Sequence, residues 1–167
     1  DAAKVYAYTL SRYPNLPQAY VNLGNAMARK GNHDEAEYCY LRALAISTDF
    51  KDCDRAFYNL ARIYALTERF RLAMEALGQA GVRNSARASD ACFDEAFSTV
   101  WEHEDFALIL PLAERRLFGE LISFLETRQG DVLRTRIASS PVLQRIIRTR
   151  KTFACFRMFL PRQSAYT

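Results

Sequence analysis

The sequence predicts an all-α fold, a solenoid of stacked helical hairpins closed at its C-terminal end by an irregular helical cap. Three observations predict it. Apolar residues recur at helical spacing, one pattern of large and small residues repeats along the chain, and Pro14, Pro17 and Gly31 fall between the repeating segments. Tyr20, Leu23, Gly24 and Met27 return as Phe57, Leu60, Ala61 and Tyr64, with the same order of large, large, small, large. Ala36, Tyr40 and Ala43 return as Ala73, Leu77 and Ala80. Half the residues are hydrophobic and a quarter charged, enough for a core and without the bias of a low-complexity chain.

Each element follows from this pattern in turn. Stepping back 34 residues from Ala36, Tyr40 and Leu44 lands on Ala2, Tyr6 and Leu10, so the chain is expected to open on the second helix of an earlier copy, ended by Pro14 and Pro17. At about 100° per residue Tyr20, Leu23, Gly24 and Met27 form one stripe, in which the small residue lets a neighbouring helix approach. Gly31 and Asn32 break this helix, and Asp34 and Glu35 favour the start of the next. Between the first copy and the second the step is 37 residues, and the surplus is assigned to a turn around Lys51–Cys53, where insertions cost little. Residues 1–87 are thus the repeats, and 88–167 a degenerate repeat with a capping region, because terminal units of a solenoid must cover its open end, with an independent helical domain as the alternative. There, Phe93, Ala96, Phe97 and Val100 lie 36 residues beyond their counterparts and predict helices near 88–103 and 105–117. Leu117–Arg128 predicts another helix stopped by Gly130, a short piece follows from Asp131, and Ser140-Pro141 opens a last helix reaching about Phe159.

From Ala2 to Gly81 these residues resemble the tetratricopeptide repeat family, most closely over Tyr20–Leu44. Thr48 stands where the family usually has proline, and Glu68 replaces the turn glycine represented by Gly31. The resemblance implies a right-handed superhelix whose first helices line a concave groove that holds a protein or peptide. Opposite the core stripe the groove residues would be Asn22, Asn25 and Arg29 from the first copy and Arg55, Tyr58, Asn59 and Arg62 from the second. Amides pair with peptide backbone and arginines with carboxylates, so an acidic or C-terminal peptide segment is the expected ligand. The carboxylate clamp of chaperone-binding relatives is incomplete here. Val21 stands where a lysine is expected, and Ser89 and Phe93 where lysine and arginine are.

Other chemistries find little support. No glycine loop of phosphate-cradling spacing is present, and His33 and His103 lack a second ligand at metal spacing, so no cofactor, metal or catalytic residue is expected. A meeting of Cys92 with His103 in space is the remaining catalytic possibility, set against a buried thiol beside a turn histidine. The longest charge-free apolar run, Phe106–Ala113, is far too short to span a bilayer, and no secretory signal is visible at Asp1. Four dispersed cysteines favour a reducing, cytoplasmic setting. The net charge of +4 is uneven: residues from Arg128 on carry nine bases against Asp131 alone. Val142, Leu143, Ile146, Ile147, Phe153, Phe156 and Leu160 alternate with those bases, as in a basic amphipathic helix. Packing on the acidic body, an anionic membrane surface and nucleic acid compete for it; packing is favoured, and nucleic acid lacks a recognised motif. The expected function is a non-enzymatic scaffold or adaptor. The rivals are a docking domain of a larger enzyme and a module that self-associates.

Overall fold

The computed structural model describes residues 2–48, 53–101, 106, 110–149 and 151–161. Five helices build the repeats: α1 (Ala2–Arg12), α2 (Pro17–Arg29), α3 (His33–Ile46), α4 (Asp54–Leu66) and α5 (Phe70–Arg83). The two copies match in length, with 13-residue first helices and 14-residue second helices. Pro17 occupies the first turn of α2, where its fixed φ suits a helix and its missing N–H is not needed. The 37-residue step is explained by the connections. Seven residues join α3 to α4 whereas four join α1 to α2, and the difference is the three-residue surplus. The place proposed for that surplus, Lys51–Cys53, lies within this connection, although Lys51 and Asp52 are outside the described residues.

The turn inside each hairpin is the same. After α2 the Gly31 amide donates to the Ala28 carbonyl and the Asn32 amide to that of Met27, with Gly31 at φ 80°. This paired closure satisfies carbonyls that the end of the helix leaves open. After α4 Glu68 takes the position of Gly31 at φ 58°, and the amides of Glu68 and Arg69 reach the carbonyls of Ala65 and Tyr64. A third instance follows α7 (Leu110–Glu126): Arg128 at φ 57°, with the amides of Arg128 and Gln129 on the carbonyls of Leu125 and Phe124. In all three the next helix begins two residues after the left-handed one, at His33, Phe70 and Gly130.

The cap therefore departs from the expected elements. Instead of a helix over 88–103 there is a short α6 (Ser85–Asp90), turns, and a 3-10 turn at Glu95–Phe97. Asp94, extended at ψ 114°, starts the 3-10 turn by accepting from the Ala96 amide with its carboxylate. The expected helix over 105–117 falls partly outside the described residues, and the break expected at Leu117 does not occur, since α7 runs through it. Gly130 opens α8 (Gly130–Ala138) rather than stopping the helix before it, a role taken by Arg128. The last helix is likewise divided: α9 covers Pro141–Thr149, and a 3-10 segment follows over Lys151–Phe159.

Despite these breaks the apolar positions went where the pattern put them. One buried cluster runs from Val21 through Leu77, Phe97 and Leu121 to Phe156. Within it Val142, Leu143, Ile146 and Ile147 of α9 are at most 2% exposed, so this helix spends its apolar stripe on the protein's own core. Phe118, Phe153 and Phe156 pack as neighbouring rings, with the Phe118 ring meeting both others edge-on. Among the described residues no helix is long and apolar enough to cross a membrane.

Candidate partner-binding groove

The first helices α2 and α4, joined at one end by α6, line two adjoining depressions that share Asn25 and Asn59. One, of about 370 Å³, is bounded by Gln18, Asn22, Arg55 and Arg87 and floored by Val21 and Tyr58. The other, of about 470 Å³, is bounded by Arg29, Arg62 and Leu66 and floored by Tyr40 and Ile63. All seven residues picked from sequence line one or both.

Their states differ. Asn25 and Asn59 are bonded to each other, with Asn59 Nδ2 donating to Asn25 Oδ1 at 2.8 Å, and the Tyr40 hydroxyl donates to the same oxygen at 2.8 Å. This joins the two copies across the α2–α4 contact. Burial pushes the Tyr40 phenol up to about 12 against the opposing pull of Arg62, so the hydroxyl stays a proton donor. Tyr58 is buried. Its hydroxyl donates to Asp94 at 2.9 Å, and burial followed by the Asp94 carboxylate raises its pKa. Arg62 pairs with Asp94 at 2.8 Å. Asn22 accepts from Gln18 Nε2 one helical turn away. Arg29 and Arg55 are exposed and make no ion pair among the described residues.

Two further contributors carry no signal in the repeat spacing. Asp94 pins Tyr58 and Arg62, and Arg87 closes one end of the groove while bonding to Asp54 at 2.8 Å and stacking over Tyr58. Both lie beyond the clear repeats, where spacing gave no register for them. Asp54 itself is nearly buried. Burial would raise its pKa, but donation from Arg87 and Asn84 outweighs it and holds the carboxyl below its usual 3.8. Trp101 and Cys92 are core, and burial pushes the Cys92 thiol up to about 12, far from a reactive thiolate. His103 lies outside the described residues. Among the described residues no three metal-ligating side chains gather.

A family model for the tetratricopeptide repeat matches residues 15–80, the span that holds the seven groove residues picked from sequence and most of both copies. No curated protein and no solved structure matches the chain. The paired hairpins, their equal helices and their shared turn are the structural counterpart of that match. Residues 15–80 of this chain thus resemble tetratricopeptide repeats both in sequence and in their paired helical hairpins.

Proposed function

We propose that the chain is a non-catalytic scaffold or adaptor module whose groove holds an extended acidic segment of another protein. One observation carries this reading: Arg29 and Arg55, two exposed arginines without ion-pair partners among the described residues, stand at the rims of a polar groove whose other cations are already paired. Arg62 and Arg87 are held by Asp94 and Asp54, so an incoming carboxylate meets its least costly partners at Arg29 and Arg55. Asn25 and Asn59 share a single carbonyl oxygen, which leaves the Asn25 amide nitrogen and the Asn59 carbonyl for a peptide backbone. The fold supports binding to proteins or peptides in general; the acidic character of the segment is our inference. A cytoplasmic setting accords with four free cysteines, three of them buried.

The test is pull-down by the native chain beside an Arg29→Glu/Arg55→Glu variant, with helicity matched by circular dichroism. Both positions are exposed, so the variant is expected to fold. Partners retained by the native chain and lost by the variant, with retention falling as salt rises, support the groove. Equal retention by both chains overturns it.

A further inference from the structure

The cap holds a second cleft that shares no residue with the groove. It encloses about 350 Å³ between Trp101 and one face of α9. Its walls are of two kinds. Trp101, Pro141 and Val142 supply apolar surface, and Trp101 has already satisfied its indole N–H on the Ala91 carbonyl at 2.9 Å, so its ring is free to act as a plain hydrophobic wall. Arg145 and Arg148 supply charge. The terminal Nη2 of Arg145 is buried and has no hydrogen-bond partner, a costly state for a guanidinium. Arg148 is exposed and, like Arg145, forms no ion pair among the described residues. Nearby Glu120 is occupied by Arg116 and Arg136.

We propose that this cleft binds the C-terminus of a polypeptide that ends in an aliphatic residue, the terminal carboxylate and the aliphatic side chain being its two anchors. The carboxylate pairs with the Arg145 and Arg148 guanidinium groups at the mouth of the cleft, while the apolar group lies against Trp101 and Pro141. A phosphate would meet the arginines but leave the apolar walls wet. This second anchor does not depend on the groove.

Trp101 is the single tryptophan of the chain, so its emission reports the cleft directly. The native chain would be titrated at constant ionic strength with N-acetyl-leucine, N-acetyl-leucinamide and inorganic phosphate. The expected result is a saturable change with N-acetyl-leucine in roughly the millimolar range, about tenfold weaker with the amide or phosphate. Arg145→Gln is expected to weaken binding about tenfold and Arg148→Gln about threefold. No saturable change, equal binding of the amide or of phosphate, or unaltered affinity in Arg145→Gln overturns the proposal. Should Arg145→Gln fail to fold, the exposed Arg148→Gln decides, and unaltered affinity there overturns it too.

Discussion

The ring of Tyr40 fills the space a side chain at Gly24 would need: a Cβ at Gly24 would lie 2.6 Å from the ring edge. In the second copy the same two places hold Ala61 and Leu77, both fully buried. Glycine with tyrosine and alanine with leucine are therefore alternative ways of filling one inter-helix space. Gly24→Ala is expected to destabilise the chain by about 1–3 kcal/mol through overpacking, because Tyr40 is buried and tied to Asn25. Tyr40→Leu alone opens space and removes one of the two donors to Asn25 Oδ1. The double variant reproduces the second copy and should cost less than the two single changes added, by about 1 kcal/mol in urea unfolding. Strict additivity would refute the shared space.

Glu68 sits at φ 58°, where a side chain crowds its own backbone, yet the turn it closes is the turn of Gly31. Glu68→Gly should stabilise the chain by about 0.5–1 kcal/mol, the relieved strain being partly offset by the greater freedom glycine gives the unfolded chain. Gly31→Ala should act in the opposite direction. A fall in melting temperature for Glu68→Gly would mean that its side chain contributes more than its backbone costs.

These turns show what the sequence could and could not reveal. Gly31 announced its turn by composition, and Glu68 was found only because it aligned 37 residues later. Arg128 had neither a glycine nor an alignment to mark it, so the nearby Gly130 drew the boundary wrongly. The core suffered less, since Ala96, Phe97 and Val100 are buried as their spacing required although the expected helix is replaced by turns and a 3-10 segment. In the groove, residue spacing on α2 and α4 placed all seven candidates along its lining. It could not show that Asp94, from outside the clear repeats, would occupy Tyr58 and Arg62.

Asp54 fastens α4 to the start of the cap by accepting from Asn84 Nδ2 at 2.9 Å and from Arg87. Its folded pKa is depressed, so its contribution is present above the usual carboxylate value and is lost as pH falls through the folded value, below 3.8. Asp54→Asn should cost about 1–3 kcal/mol at neutral pH, since it removes the charge of a nearly buried carboxylate that holds a half-buried guanidinium. The gap between native and variant should narrow below pH 3.8. A gap that stays constant to pH 2 would show that the charge of Asp54 is immaterial.

Ser140 is fully buried where the cap folds back. Its Oγ donates to the Cys92 carbonyl at 2.6 Å and accepts from the Leu143 amide at 3.2 Å, capping α9 while tying it to the turn after α6. Ser140→Ala removes the cap and leaves the Cys92 carbonyl without that donor, at an expected cost of about 1–3 kcal/mol. Because the apolar cluster is continuous from Val21 to Phe156, the cost should fall on the whole chain. Helicity, to which α1 to α5 contribute more than the later helices, and Trp101 emission, which reports the cap, should then follow one transition in denaturant, and that transition should shift to lower denaturant in Ser140→Ala. Two separate transitions, with only the emission curve displaced, would instead make residues 88–167 a domain that folds without the repeats.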